Sequence, residues 1–225
     1  MKNLSRRRFV QNLGIGVGAT AIAAALPSFK TDAEKKEKKY AGKKLNIALV
    51  GLGNYATYLA SGLETSQYCK LAGIVTGHPE KATQWKKQYN IPDTNIYNYQ
   101  NFDAIKNNKD IDLVYVVLPN AMHKEYVIRA ANAGKHIIVE KPMATSVEDC
   151  EAMIAACKKA GVQLAMGYRL HYEPYHLEIK RLGQEKVFGQ VRLIEVSLGY
   201  KTGDPSQWRL HKALSGGGPL MNLGV

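Results

Sequence analysis

The chain has 225 residues and a formal net charge of +12, room for one good-sized domain or one domain and part of another. The charge is uneven: residues 1–44 hold eleven Lys/Arg against three Asp/Glu, whereas residues 45–225 hold 20 against 16. The body is therefore only mildly basic, and no basic face interleaved with aromatic residues points to nucleic acid.

The first residues explain the skew. Ser5-Arg6-Arg7-Arg8-Phe9-Val10-Gln11 is a basic region with a twin arginine, followed by a soft apolar run rich in Gly and Ala. That run is short and weakly apolar for a membrane span, which needs about 20 strongly apolar residues. Ala21, Ala23 and Ala25 are small residues that suit a signal peptidase. Residues 1–27 are thus expected to be a twin-arginine export signal that directs the protein to the periplasm; an uncleaved amphipathic or anchor helix is the alternative. Residues 28–43 are charged and poor in apolar side chains, as expected of a disordered linker.

An alternating pattern follows. Residues 44–50 read as an apolar strand, 54–65 as a helix, 71–76 as a strand and 79–89 as a helix. Residues 96–97 read as a short strand before a helix at 102–107. Residues 113–118 form a continuous apolar strand, 122–133 a helix ending at Gly134, and 136–140 another strand. Residues 146–160 read as a helix with Ser146 as N-cap and Gly161 just past its end. A strand at 162–166 completes the run. Short apolar strands alternating with helices predict a parallel, doubly wound α/β sheet of the Rossmann type over residues 44–166. Beyond it, residues 174–182 read as a helix, and 191–200 alternate as a one-faced strand. That strand would begin a second, antiparallel sheet in an α+β domain starting at residue 167 and incomplete at 225.

Cysteine chemistry adds little. Cys150 and Cys157 share one expected helix with roughly 10 Å of rise between them, too far for a disulfide. With Cys69 they read as ordinary apolar residues, and no CxxC or His/Cys cluster suggests a metal.

The first turn carries more. Gly51-Leu52-Gly53-Asn54-Tyr55-Ala56 fits GxGxxA, a weak signal alone. Here it follows a strand and opens a helix, which is the context of a dinucleotide turn. Gly51 permits the turn, Gly53 lets the backbone approach a pyrophosphate, and Ala56 lets helix and strand pack closely. Backbone N–H groups at Asn54 and Tyr55 then face the phosphates. At the second strand tip, NAD enzymes tend to place a carboxylate for the ribose 2′-hydroxyl. Thr76-Gly77-His78-Pro79-Glu80-Lys81 has none at the tip. Thr76 and Lys81 would instead accept a 2′-phosphate, so NADP is favoured, with NAD possible.

Pro119, Asn120 and His123 stand at the carboxyl end of the fourth strand, and Glu140 and Lys141 at the end of the fifth. Ligands of doubly wound sheets bind at that edge, so both loops should flank the nicotinamide. A lysine there holds a sugar hydroxyl and favours its ionised form as hydride leaves.

Several further stretches now combine. They are Leu118-Pro119-Asn120 with His123, Ala133-Gly134-Lys135-His136, Glu140-Lys141-Pro142-Met143-Ala144-Thr145-Ser146, Gly167-Tyr168-Arg169-Leu170-His171-Tyr172, Gln207-Trp208-Arg209-Leu210, and Gly216-Gly217-Gly218-Pro219-Leu220-Met221. With them the chain resembles the Gfo/Idh/MocA oxidoreductases from about residue 44 to 225, and within that family most the glucose–fructose oxidoreductases. The resemblance implies a Rossmann domain followed by a large open sheet, a catalytic Lys141, and a homo-oligomer. It implies that Arg169, Trp208 and Arg209 lie near the cofactor, and that Lys141, Arg169 and Tyr172 meet a small sugar substrate. In the family an Asp, a Gly and then an acid/base His or Tyr follow the glycine stretch. Here Asn222 replaces the Asp, and the acid/base position would be one past Val225. Residues 1–225 alone are therefore expected to bind nucleotide without turning over sugar. Export adds a constraint, because an exported enzyme must keep and regenerate its nucleotide. That favours a ping-pong cycle in which one sugar is oxidised and another carbonyl compound reduced, as the resemblance also implies. An exported NAD-dependent glycosidase of the same superfamily, and a nucleotide- or sugar-binding protein without turnover, are the alternatives.

Overall fold

The computed structural model describes residues 40–199, 201 and 204–224. The expected signal at 1–27 and all but the last four linker residues lie outside the described residues. Tyr40, within that expected linker, is seated on Tyr68 with ring centroids 4.9 Å apart.

One six-stranded parallel sheet forms the frame. Its strands are β1 (Leu45–Val50), β2 (Cys69–Val75), β3 (Ile96–Tyr97), β4 (Leu113–Val116), β5 (His136–Val139) and β6 (Leu164–Met166), in the order β3-β2-β1-β4-β5-β6. The order reverses direction at β1 and β4, so a crevice opens beyond their carboxyl ends. Strand β1 shows how both faces are covered. Ala48 and Val50 enter the cluster built around Phe102, Tyr126, Val127 and Met153. Ile47 and Leu49 enter the other, with Ala56, Ala60 and Trp85. Helices α1 (Asn54–Thr65) and α2 (Pro79–Tyr89) therefore pack on one face. Helices α3 (His123–Asn132) and α4 (Val147–Ala160) pack on the other. A side chain on both faces explains why residues 113–118 read as a continuous apolar run rather than an alternating one.

The helix ends follow their expected chemistry. Ser146 accepts from the backbone N–H of Asp149, and Gly161 closes α4 in the left-handed conformation at φ 69°. Residues 102–107 coil as a 3-10 helix rather than an α-helix. The three cysteines are unpaired thiols, and burial raises the pKa of each.

The expected strand at 191–200 is corrected. Residues 191–199 pair with no strand among the described residues, and Leu193, Ile194 and Val196 are exposed. Alternation marks a segment able to cover an apolar core; without a neighbour to take its backbone hydrogen bonds it is not a strand. The rest of this region contributes α5 (Pro174–Gln184), α6 (Lys212–Ser215) and α7 (Pro219–Leu223).

Candidate active site

A cavity of about 710 Å³ lies at the carboxyl edge of the sheet, within the size range of small-molecule and cofactor sites. The turn between β1 and α1 forms one end. Gly51 has φ +94°, and a Cβ there would sit 2.6 Å from the Val117 carbonyl oxygen. Only glycine fits that position without strain. Gly53 precedes α1, and no side chain caps the helix or puts an acid in its first turn. Asn54 and Tyr55 of the first turn therefore line the cavity without an internal anion at the helix start, the arrangement that holds a pyrophosphate.

The β2 tip forms the next wall. Thr76 is nearly buried, and its hydroxyl accepts from the His78 N–H at 3.1 Å. Lys81 reaches back across the turn, its Nζ donating to the Leu52 carbonyl at 3.3 Å. Glu80 turns to His78, with Nδ1 and Oε1 3.1 Å apart, so the only acid in this segment does not line the cavity. His78 and Tyr99 also line it, and the sequence reading assigned neither. Tyr99 is held by the Arg129 Nη2, which donates to its carbonyl at 3.0 Å. Gly77 makes room for it, because a Cβ there would meet the Tyr99 ring at 3.0 Å.

Lys141, Arg169 and Arg209 complete the lining. Lys141 donates from Nζ to the Asn222 carbonyl. Burial lowers its pKa; the Glu140 charge opposes that, and Arg209 and Arg169 lower it further. Burial raises the Glu140 carboxyl, while the hydroxyl of Tyr115 and the nearby cations pull it back. Arg209 lies over the Trp208 ring at 4.5 Å, a geometry that fixes a guanidinium against an aromatic face. Arg169, Trp208, Arg209 and Pro119 all line the same cavity.

The structure thus brings together Gly51, Gly53, Asn54, Tyr55, Thr76, Lys81, Pro119, Glu140, Lys141, Arg169, Trp208 and Arg209. It places three of the expected residues elsewhere. Asn120 is buried, and its Nδ2 donates to the Ser215 carbonyl at 2.8 Å. His123 is fully buried behind the wall, its ring nitrogens 2.9 Å from the carbonyl oxygens of Leu118 and Pro142. Burial lowers its pKa. A ring enclosed by main chain ties the two loops together and lies outside the cavity lining. Tyr172 is 80% exposed and outside the cavity. The residues present fit a phosphorylated dinucleotide: glycines that admit close approach, a helix start without a competing acid, Lys81 at the β2 tip, and Lys141, Arg169 and Arg209 in the same lining.

Comparison with known proteins agrees. The family described as "Oxidoreductase family, NAD-binding Rossmann fold" matches residues 45–168. The chain is similar to the D-xylose 1-dehydrogenase [NADP(+)] of Haloarcula marismortui, 31% identical over 186 residues, which are 80% of this chain and 51% of the relative. It is also similar to the 2,7-anhydro-N-acetylneuraminate hydratase of Escherichia coli, 32% identical over 65% of this chain and 38% of the relative. Among solved structures it resembles an aldose-aldose oxidoreductase from Caulobacter crescentus, with 47% identity and a TM-score of 0.77 over 80% of this chain and 54% of the other. The chain spans about half the length of the curated relatives it matches. Its matched domain and glycine turn place it in a single family: the chain belongs to the Gfo/Idh/MocA oxidoreductases.

Proposed function

We propose that this protein is an exported, NADP-dependent sugar oxidoreductase acting on a CH–OH group of an aldose. One observation carries the reading: the glycine turn, the carboxylate-free β2 tip and Lys141 line a single cavity. Two of the relatives support the substrate class, being named for acting on D-xylose and on aldoses. When bound, the nicotinamide accepts and returns hydride. The chain's own residues do the rest. The first-turn N–H groups of α1 hold the pyrophosphate. Thr76 and Lys81 hold the 2′-phosphate. The Lys141 ammonium donates to the sugar oxygen and lowers the cost of its losing a proton. Arg169 and Arg209 add positive charge to the same lining.

Calorimetry tests the cofactor assignment. NADP should bind more tightly than NAD, and Lys81→Ala should cut the preference roughly ten- to hundredfold, the worth of one charge-assisted hydrogen bond. Equal affinity for the two nucleotides in the unmutated protein would sink the assignment.

Export rests on Ser5-Arg6-Arg7-Arg8-Phe9 and the soft apolar run behind it. The twin-arginine route carries folded proteins, so the nucleotide travels bound and is regenerated in place by a second carbonyl substrate. Replacing Arg6 and Arg7 with Lys should leave precursor in the cytoplasm. Undiminished mature protein outside the inner membrane would count against this route.

A further inference from the structure

Tyr115 stands in β4 on the face that α1 and α2 cover, among apolar neighbours. A phenol in a buried parallel strand needs a partner for its hydroxyl. The partner here is Glu140: the Tyr115 hydroxyl donates to Oε1 at 2.6 Å. The other carboxylate oxygen, Oε2, accepts the Lys141 backbone N–H at 3.3 Å. Glu140 is itself only 8% exposed. Space for this pair is left by Gly167, where a Cβ would sit 2.6 Å from Glu140 Oε1 and 2.8 Å from the Tyr115 oxygen.

We propose that Tyr115 is a positioning residue for Lys141, acting through Glu140. Its hydroxyl aims a buried carboxylate at the start of the loop that carries Lys141. The inference rests on the functional reading for the importance of Lys141, but not for the contacts themselves. The charges involved come from several elements. Glu140 faces the hydroxyls of Tyr115 and Tyr55 and the charges of Lys141 and Arg169. Lys141 faces Glu140, Arg169 and Arg209. Among the described residues Glu140 is thus the anion acting on Lys141, against two other cations. A hydrogen bond to a carboxylate favours its ionised form, which is the direction Tyr115 exerts on Glu140. Without that bond the carboxylate is held less firmly beside Lys141, its charge acts on the ammonium less effectively, and Lys141 gives up its proton more easily.

The test needs no nucleotide and no sugar. The pH dependence of acetylation at Lys141 is followed by peptide mass spectrometry in the unmutated protein, Tyr115→Phe and Glu140→Gln, with exposed Lys158 as an internal control. Both variants should move the Lys141 midpoint to lower pH, by about one unit for Glu140→Gln, the low end of what an opposite charge supplies. Tyr115→Phe should move it in the same direction by less, with Lys158 unmoved. A Tyr115→Phe curve that superimposes on the unmutated one overturns the proposal, whether or not Glu140→Gln moves. So does a shift shared by Lys158, which would mean general loosening. Failure to bind NADP in the separate calorimetric experiment would sink the functional reading and leave this result standing.

Discussion

In the native protein, Lys141→Met should lower the rate of sugar oxidation roughly 10²–10⁴-fold, the usual contribution of a positioned proton-transfer group, while NADP stays bound. The substitution keeps an unbranched apolar stem out to the ε position and removes the ammonium. The turn is shaped by Gly51 and Gly53, and the β2 tip by the Thr76 and Lys81 contacts, so neither is built on Lys141. Steady-state kinetics should therefore show the loss in kcat, with the nucleotide Kd changed little. A Kd that rises as much as kcat falls would make Lys141 a nucleotide anchor. An unchanged kcat would remove it from the chemistry altogether.

The second large effect is at the turn, where two glycines should separate fold from binding. Gly51→Ala should destabilise the protein by at least about 1–3 kcal/mol, the strain of a non-glycine residue in a sparsely allowed region. The clash adds to that strain, because the nearest atom is the Val117 backbone carbonyl. Val117 cannot yield freely, since its N–H donates to the Val50 carbonyl at 2.8 Å. Gly53→Ala is different. It has φ −83°, and a Cβ there meets nothing within 4 Å. Its stability should match the unmutated protein, but the added methyl stands where a pyrophosphate approaches. A binding loss of about 2 kcal/mol would weaken the NADP Kd roughly thirtyfold. Urea unfolding and calorimetry on both variants check the pair. Equal behaviour of the two would mean that the turn has no division of labour.

Much of the site is legible in the sequence where local chemistry fixes it. Ser146 and Gly161 set both ends of α4, and Pro79 opens α2 at its first residue, because caps and proline act over one turn. Gly51 and Gly53 report on backbone geometry and so can be read from their spacing. What depends on distant partners is less legible. Tyr99 reaches the cavity because β3 pairs with β2, and a two-residue strand leaves almost no pattern to read. Residues 191–199 alternate as a strand should, yet strand formation needs a neighbour that alternation does not specify. His123 reads as a ligand-facing residue from its place at the sheet edge, but sequence position does not say on which side of a loop a ring lies. Tyr115 is hidden in an apolar run, and its role shows only when the sheet brings Glu140 beside it. Trp208 and Arg209 are legible only through the family resemblance; nothing in their spacing predicts that they return to the cavity.

The most direct test of the central claim follows the hydride itself. The native protein is loaded with NADP and mixed with an aldose deuterated at its anomeric carbon, and the nucleotide is then released and examined by mass spectrometry and NMR. The account predicts deuterium on the nicotinamide ring, and none in the Lys141→Met variant over the same interval. A nucleotide that remains unlabelled while the sugar is consumed would contradict it.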